Sequence, residues 1–267
     1  MKKPLRLTFR LLTIGASTLG LYLLWLTGLP LVFAFKNLRY SWRNWIFRTW
    51  GKTLARFAGL RLTIEGTPPR APFFLVSNHL SYTDIIVFAS QLDCVFVSKS
   101  DVKDWPGIGF LARSMGIIFI DRTRKQDIPR VIELIENAWQ KRQGVVVFPE
   151  GTSSKGDTVL PFKPSLLEPA VKTGLPVSYA SISYQTPPDE PPAHLSVCWW
   201  GDMEFASHAI ALFRLRRIDA KVVFGEQTFS ADDRKILAQR LRAAIIEQFT
   251  PVVTTEEECQ ITLATTH

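Results

Sequence analysis

The most constraining feature of the sequence is an uncharged apolar run near its N-terminus. Leu11 to Phe35 is twenty-five residues without a charged side chain, preceded by Lys2, Lys3, Arg6 and Arg10. As a straight helix this run is about 37 Å long, more than the roughly 30 Å of hydrocarbon in a bilayer. A signal peptide is the alternative, but its apolar region is usually ~7–15 residues and ends at a small-x-small site. The run ends Val-Phe-Ala-Phe-Lys and therefore predicts a retained membrane anchor.

The following segment carries a second membrane signal. On a helical wheel the apolar residues lie opposite the cations: Ile46, Phe47, Trp50, Leu54 and Phe57 against Arg48, Lys52 and Arg56. Trp42, Trp45 and Trp50 are amphipathic rings typical of the headgroup level. The pattern predicts a helix lying in the bilayer surface with its cations near anionic lipid; a soluble helix packed on the core is the alternative. Cations flank the apolar run on both sides, and such cations usually lie on the cytoplasmic side of a membrane. A re-entrant hairpin, with both of its ends cytoplasmic, would place both groups of cations there.

The distribution of charge indicates which partners the chain has. Eleven Lys and Arg residues precede the first acidic residue, Glu65, whereas the remainder holds 21 basic and 24 acidic residues. Nucleic-acid binding predicts basic side chains clustered in the folded body, so the net charge of +8 indicates a membrane partner and no nucleic acid. The content of 46% hydrophobic and 12% aromatic residues excludes a disordered chain.

Cysteine and histidine spacing indicates neither a disulfide framework nor a metal site. Cys94, Cys198 and Cys259 include no C-x-x-C pair, and the four histidines show no H-E-x-x-H spacing. These are the spacings that structural disulfides and zinc sites most often show. We therefore expect no metal and no bound cofactor.

Beyond residue 59, short apolar runs alternate with helical patterns. The runs that predict strands are 60–64, 73–76, 94–97, 116–120, 145–148, 177–183, 195–200 and 222–224. One helix is predicted from Asp127 to Gly144 and another from Ser230 to Phe249, with Asp233 in a capping-box position. The alternation predicts an α/β fold, a mixed sheet flanked by helices. The chain then divides into a membrane anchor with an interfacial helix (1–59), a folded domain (60–250) and a polar tail (251–267).

Three polar clusters each follow one of the predicted strands. They are 77–84 (Ser-Asn-His-Leu-Ser-Tyr-Thr-Asp), 121–124 (Asp-Arg-Thr-Arg) and 149–154 (Pro-Glu-Gly-Thr-Ser-Ser). In open α/β sheets, ligands gather beyond the carboxyl ends of the strands. We therefore expect the three clusters to converge on one cleft.

The first cluster contains the residues of a general base. A neutral histidine accepts a proton from a hydroxyl near physiological pH, and it does so best when a carboxylate fixes its tautomer and stabilises the imidazolium. His79 and Asp84 are five residues apart, which is about 140° around a continuous helix. Pairing therefore requires His79 at a strand-to-helix turn. The alternative is a His and an Asp that only cap and line the start of a helix.

The other two clusters offer groups that bind anions. Arg122 and Arg124 suit bidentate contact with phosphate or carboxylate, and a solvated loop is the alternative. Glu150 and Gly151 belong to a turn after a strand. That turn either only ends the strand or presents backbone N–H groups and a carboxylate to a polar ligand.

These clusters together resemble a known family. Asn78-His79-x-Ser81-x-x-Asp84 is similar to the H-x4-D motif of the glycerolipid acyltransferases typified by 1-acyl-glycerol-3-phosphate acyltransferase. The segments 116–122, 148–152 and 175–177 resemble the second, third and fourth blocks of that family, in the family's order. The resemblance covers about residues 60–184 and follows a membrane-associating N-terminus.

The resemblance implies a reaction and a set of roles. His79 is the general base on a glycerol-type hydroxyl, oriented by Asp84, and the hydroxyl attacks an acyl thioester of coenzyme A or acyl carrier protein without an acyl-enzyme. The implied acceptor is lysophosphatidate, giving phosphatidate in phospholipid biosynthesis. The location implied is the cytoplasmic face of the inner or plasma membrane, where acceptor and product reside. The implied substrate contacts are Arg122 on the acceptor phosphate, with Glu150, Gly151, Thr152, Lys99, Asn78 and Ser81.

One departure from the family pattern leaves the acceptor open. Many lysophosphatidate members continue the third block with Arg, whereas this chain has Ser153, with Lys155 and Lys163 further on as possible substitutes. This version of the block also resembles that of acyltransferases acting on lyso-ornithine lipid, whose acceptor carries an amino acid. A non-catalytic, membrane-binding relative is a third hypothesis, against which the intact His79 and Asp84 pair argues. A hydrolase lacks support because there is no G-x-S-x-G elbow.

Overall fold

A seven-stranded mixed sheet organises the chain. The computed structural model describes residues 3–32, 35–105, 107–120 and 127–253. The strands are β1 Leu60–Glu65, β2 Phe74–Ser77, β3 Cys94–Lys99, β4 Ile118–Ile120, β5 Gly144–Val147, β6 Val177–Gln185 and β7 Ile218–Phe224. Their order in the sheet is β1-β7-β6-β2-β5-β3-β4, and only the β6–β7 pair is antiparallel among these neighbours. The predicted mixed sheet is confirmed.

Helices cover both faces of this sheet. They are α1 Lys3–Val32, α2 Lys36–Ala58, α3 Thr83–Gln91, α4 Ile108–Ser114, α5 Ile128–Gln140, α6 Glu168–Thr173, α7 Ala193–Ser196, α8 Phe205–Leu212 and α9 Arg234–Gln248. One buried cluster joins α2, α3 and α8 to the sheet, and a second joins α5, α6 and α9 to the other face. Strands covered on both faces have continuous apolar sequences, which is why β2 and β5 were predictable as short apolar runs.

Four details of the C-terminal half differ from the sequence prediction. The run 195–200 is not a strand: α7 ends within it, and Val197 and Cys198 are buried in the core without joining the sheet. A short apolar run indicates burial but does not by itself select a strand, and helix α8 that follows was not predicted. Helix α9 begins at Arg234 and not at Ser230, because Asp233 is itself the N-cap and accepts the N–H groups of Lys235 and Ile236. Strand β7 is also longer than 222–224, since its buried residues alternate with polar ones from Ile218 onward.

The first two helices form an antiparallel pair. The indole N–H of Trp42 donates to the carbonyl of Trp25 at 3.3 Å, and the rings of Phe9 and Phe57 lie 6.4 Å apart. A residue late in α1 thus contacts one early in α2, and a residue early in α1 contacts one late in α2. The two helices therefore run in opposite directions. The start of α1 and the end of α2 therefore lie at the same end of the pair.

Helix α1 is fastened to the folded domain at its basic start and exposes apolar residues along its length. The Arg10 guanidinium donates to the carbonyls of Leu215 at 2.6 Å and Arg216 at 3.1 Å. Leu12, Leu19 and several further apolar side chains of α1 are exposed: Leu5, Phe9, Leu11, Leu23, Leu24, Leu26 and Leu31. Among the described residues, α1 is the helix long and apolar enough to cross a membrane.

The apolar side of α2 lies against protein, which corrects the expected lipid contact. Ile46, Phe47 and Leu54 are 1%, 4% and 6% exposed, and the Phe47 ring meets Phe96 of β3 at 6.4 Å. The side predicted to enter the bilayer is therefore covered by α3 and the sheet, as in the soluble-helix alternative. The exposed side of α2 carries Trp45, Lys52 and Arg56.

Candidate active site

The carboxyl ends of β2 and β5 bring the first and third polar clusters together. These strands are parallel neighbours, and the backbone N–H of His79 donates to Glu150 Oε1 at 2.7 Å. The N–H of Ser154 donates back to the carbonyl of His79 at 3.0 Å. Two of the three clusters therefore converge as expected. The second cluster follows β4, but its residues 121–124 lie outside the described residues.

His79 and Asp84 form a hydrogen-bonded pair across a strand-to-helix turn. β2 ends at Ser77 and α3 begins at Thr83, so His79 lies on the turn and Asp84 in the first helical turn. The His79 Nδ1 and Asp84 Oδ2 atoms are 2.7 Å apart. The His79 side chain is 20% exposed, whereas that of Asp84 is fully buried. This is the arrangement that the five-residue spacing required.

Asp84 accepts hydrogen bonds on both carboxylate oxygens. Oδ2 accepts the N–H groups of Leu80 at 2.8 Å and Ser81 at 3.1 Å in addition to the His79 ring. Oδ1 accepts the hydroxyl of Tyr184 at 2.6 Å. These donors compensate a buried charge and fix the carboxylate in place. Because an anionic oxygen faces Nδ1, the proton of the neutral ring lies on Nδ1, and Nε2 is left as the base.

The His79 ring is held from below by an aromatic side chain. It stacks on Phe148, with 4.2 Å between ring centroids and 15° between the planes. Phe148 directly follows β5, so the strand that supplies Glu150 also supplies this support. None of the hydrogen bonds formed within the described ranges uses His79 Nε2. The ring is thus oriented while its basic nitrogen is free to meet a substrate.

Glu150 supports the site from beneath, which corrects the expected contact with the acceptor. Its side chain is 2% exposed, and its two oxygens accept the N–H groups of His79 at 2.7 Å and Leu160 at 3.0 Å. Burial raises the pKa of Glu150 to about 8. The two hydrogen bonds favour the carboxylate and lower this pKa, but the effect of burial is larger. Glu150 therefore positions the His79 backbone, and its carboxylate does not face the cleft.

Asn78 and Ser81 also build the turn, although the sequence placed them against substrate. Asn78 is 1% exposed; its amide donates to the carbonyl of Ile182 at 2.9 Å and accepts the Ile182 N–H at 2.8 Å. This pair of bonds extends the contact of β2 with β6 beyond the end of β2. Ser81 is fully buried, and its hydroxyl accepts the Thr83 N–H at 3.4 Å. Both side chains lack access to a ligand.

Gly151, Thr152 and Lys99, three of the remaining predicted contacts, lie at the same edge of the sheet. Gly151 has a φ of +75°, a left-handed conformation that favours glycine, and Thr152 after it is exposed. Lys99 is exposed at the carboxyl end of β3, the neighbour of β5. Arg122 lies outside the described residues, so its contact with an anion stays a prediction.

Ser153 has a structural partner at the position where many lysophosphatidate members have arginine. Its hydroxyl donates to the carbonyl of Trp199, and the Trp199 N–H donates to the carbonyl of Leu80 at 2.8 Å. The segment after α7 is thereby bound to the residue next to His79. Trp199 in turn contacts the ring of Tyr82 at 6.1 Å, so aromatic side chains line this flank of the turn.

Sequence reasoning missed two residues of the site, Tyr184 and Trp199. Tyr184 is fully buried on β6, and a buried tyrosine hydroxyl usually has a partner. That expectation could have pointed to a buried acceptor, but not to Asp84, which is one hundred positions away. Trp199 was hidden because its segment was predicted to be a strand.

This arrangement suits proton abstraction from a hydroxyl. A partly exposed imidazole, a buried carboxylate on one of its ring nitrogens and a stacked support meet the geometric requirements of a general base. No nucleophilic serine or cysteine is bonded to His79 among the described residues. The geometry therefore favours direct attack by a substrate hydroxyl.

Comparison with known proteins is consistent with that chemistry. The Acyltransferase family model matches residues 61–183. The lyso-ornithine lipid O-acyltransferase of Brucella abortus (strain 2308) is 30% identical over 253 residues, 88% of this chain and 91% of the relative. The 1-acyl-sn-glycerol-3-phosphate acyltransferase of Neisseria gonorrhoeae is 25% identical, over 73% of this chain and 77% of the relative. The crystal structure of the 1-acyl-sn-glycerophosphate acyltransferase from Thermotoga maritima shares the fold, with a TM-score of 0.56 and 21% identity over 90% of this chain and 97% of that one.

Proposed function

Because the chain belongs to the acyltransferase family, we propose that it transfers a fatty acyl group from an acyl thioester to the free hydroxyl of lyso-ornithine lipid. The observation that carries acyl transfer is the His79–Asp84 pair, 2.7 Å apart with the carboxylate buried and the imidazole at the surface. The chain is an acyltransferase by its family; the acceptor and the donor are the proposal.

The reaction requires one base and no covalent enzyme intermediate. His79 Nε2 takes the proton of the acceptor hydroxyl while its oxygen attacks the thioester carbonyl carbon. The Asp84 carboxylate stabilises the imidazolium that forms. When the tetrahedral intermediate collapses, the C–S bond breaks and the imidazolium returns its proton to the departing thiolate. The products are an O-acyl ester and a free thiol of coenzyme A or acyl carrier protein, and His79 is again neutral.

Three observations support the ornithine acceptor over lysophosphatidate. The Ser153 hydroxyl is used to bind Trp199, so this position supplies no cation for a phosphate. Of the substitutes considered from the sequence, Lys155 lies 3.6 Å from the Asp157 carboxylate, which offsets its charge. The relative from Brucella abortus, matched over most of both chains, is named for the same acceptor.

Lysophosphatidate is the second candidate acceptor. It is favoured by the exposed Lys99 at the site edge of the sheet and by the lysophosphatidate-type relative from Neisseria gonorrhoeae. Both acceptors are membrane lipids with a free hydroxyl, so the same dyad serves either one. The apolar exposed face of α1 supports membrane attachment. The proposal places the active site on the cytoplasmic face, where coenzyme A and acyl carrier protein thioesters are available.

Acyl transfer with both acceptors side by side tests the proposal. The full chain, in membranes and after purification in detergent, is offered lyso-ornithine lipid and lysophosphatidate, each with acyl-coenzyme A and with acyl carrier protein. We expect acylated product from lyso-ornithine lipid. His79→Ala is expected to lower kcat by roughly 10²–10⁴-fold, the usual contribution of a general base.

The controls separate failure of the acceptor from failure of the mechanism. His79→Ala and wild type must show the same melting temperature, since loss of fold would lower activity for another reason. Product from lysophosphatidate alone would refute the ornithine assignment and leave the acyl-transfer chemistry standing. Near-normal activity of folded His79→Ala would refute the mechanism, and an inactive wild type with every pair of substrates would favour a non-catalytic, membrane-binding role.

A further inference from the structure

A basic cleft lies at the end of α2, away from the His79–Asp84 pair. It has a volume of about 660 Å³. Five of its lining residues are cationic: Lys52, Arg56, Arg61, Arg216 and Arg217. Ser90 and Gln91, at the C-terminal end of α3, also line it, whereas Asp84 lies in the first turn of the same helix. Nine helical residues separate the ends of α3 by about 13 Å, so the cleft is distinct from the site described above.

The charge of this cleft is only partly compensated. Arg216 lies 2.8 Å from Asp189 and Arg217 lies 2.8 Å from Asp219. Lys52, Arg56 and Arg61 are exposed, and within the described ranges no carboxylate lies within salt-bridge distance of them. Three uncompensated cations around one concave surface favour binding of a polyvalent or phosphate-bearing anion.

The cleft is continuous with the apolar helix α1. Gly59 lines the cleft. The Arg10 guanidinium of α1 packs directly against Gly59, so closely that a Cβ atom at this position would lie 2.1 Å from Arg10 Nη2. Arg10 also donates to the carbonyl of Arg216, a second lining residue. The adjoining part of α1 exposes Leu5 at 61% and Leu12 at 68%. The exposed apolar surface of α1 and the basic cleft thus meet where Arg10 contacts Gly59 and Arg216.

We propose that this basic cleft binds the phosphate headgroup of an anionic bilayer lipid next to α1. The chemistry recognised is a phosphate ester anion, and the contact with α1 identifies its source as the membrane. Cations beside an inserted apolar surface add to membrane binding through the negative surface potential. The inference is independent of the acceptor assignment, because the cleft and the His79–Asp84 pair occupy opposite ends of α3.

The test measures lipid preference under conditions in which α1 contributes equally. Full-length protein is diluted from detergent into a mixture of phosphatidylcholine vesicles and vesicles with 30% phosphatidylglycerol, which are then separated and assayed for protein. Each cation near the surface contributes about fivefold to partitioning. The K52Q/R56Q/R61Q variant is therefore expected to lose about 100-fold of the wild-type preference for the anionic vesicles.

A matched variant controls for net charge. K141Q/K235Q/R240Q removes three exposed cations after α5 and on α9, on the other face of the sheet, and is expected to keep the preference within about threefold. Both triple variants are expected to retain wild-type acyl transfer in detergent, which confirms that they fold. Equal losses in the two triple variants, or an unchanged preference in the first, overturn the proposal.

Two further arms exclude other sources of the anion. Inorganic phosphate and coenzyme A are each added at an ionic strength matched with chloride. If either abolishes the vesicle preference when chloride does not, the cleft is a site for a soluble phosphate and the lipid assignment is overturned. If acidic acyl carrier protein binds wild type and not K52Q/R56Q/R61Q while the vesicle preference is unchanged, the cleft is a protein-docking site and the assignment is likewise overturned. Equal effects of all added salts at matched ionic strength support the lipid headgroup.

Discussion

Replacement of Asp84 by asparagine tests the acyl-transfer mechanism most directly. Asp84 is fully buried, and its Oδ2 atom lies 2.7 Å from His79 Nδ1. In the Asp84→Asn variant an amide oxygen at the Oδ2 position still accepts the His79, Leu80 and Ser81 donors. The amide nitrogen then faces the Tyr184 hydroxyl, which can accept a hydrogen bond. The turn is therefore expected to keep its geometry and lose only the negative charge.

The size of the loss follows from the charge pair formed in the transition state. With about 4 Å between the centres of the imidazolium and carboxylate charges and an effective dielectric constant of about 20, the interaction is about 4 kcal/mol. Each ~1.4 kcal/mol is tenfold in rate, so kcat is expected to fall about 10³-fold. Release of thiol from acyl-coenzyme A, measured with acceptor present and absent, reports this rate in detergent.

A double-mutant cycle decides whether Asp84 acts through His79. If its charge serves only the imidazolium, Asp84→Asn is expected to cost nothing further in the His79→Ala background. A full 10³-fold loss in that background refutes the reasoning, since Asp84 would then act on something else. So does an Asp84→Asn single variant within tenfold of wild type, provided that its melting temperature shows that it is folded.

Two other predictions concern the residues around the dyad. Because the pKa of Glu150 is raised to about 8 in the folded chain, folding favours its protonated form, and this stabilisation is lost as the pH rises from about 4.5 through 8. Thermal unfolding is expected to show a free energy of unfolding about 1.4 kcal/mol lower at pH 9 than at pH 7, which lowers the melting temperature by roughly 4 °C. The Glu150→Gln variant is expected to lack this loss of stability. An equal loss in the variant contradicts the assignment of the effect to Glu150. Ser153→Arg adds a cation at the position described for phosphate-acceptor relatives and is expected to raise the kcat/KM ratio of lysophosphatidate to lyso-ornithine lipid about 10–100-fold. Ser153→Gln, which also breaks the bond to Trp199 but is neutral, should leave that ratio unchanged; the same rise in both variants rules out a charge effect.

The His79–Asp84 geometry was predictable because local chain geometry determines it. Five residues cannot bring the two side chains together on one continuous helix, so the sequence itself required a turn at His79 and a helix start near Asp84. The short apolar strands were also predictable, because helices cover both faces of the sheet. Strands buried on both faces have continuous apolar sequences, without the polar residues that alternate in a strand with one exposed face. Their parallel order then places the following clusters at one edge.

The supporting residues were not predictable, because nothing local links them to the dyad. Tyr184 reaches Asp84 only because β6 lies beside β2, and a strand order is not present in the pattern of either strand. Glu150 illustrates the converse case. Its place next to Gly151 in a turn after a strand suggested a ligand contact, but the depth of the turn buries the carboxylate beneath the backbone of His79. The sequence does not distinguish a carboxylate that supports the backbone of a turn from one that contacts a ligand, because both follow a strand in the same motif.

Helix α2 shows how one amphipathic pattern serves two environments. Its apolar side fits a bilayer surface and a protein core equally well, because both remove the same side chains from water. What distinguishes the two is the partner: the folded domain buries Phe47 and Leu54, and Lys52 and Arg56 on the opposite side remain exposed. Those cations, with Arg61 at the start of β1, then form the basic cleft beside α1. The charge that the sequence assigned to a membrane surface therefore lies on a helix whose apolar side belongs to the core, and under our proposal α1 and the cleft together attach the protein to lipid.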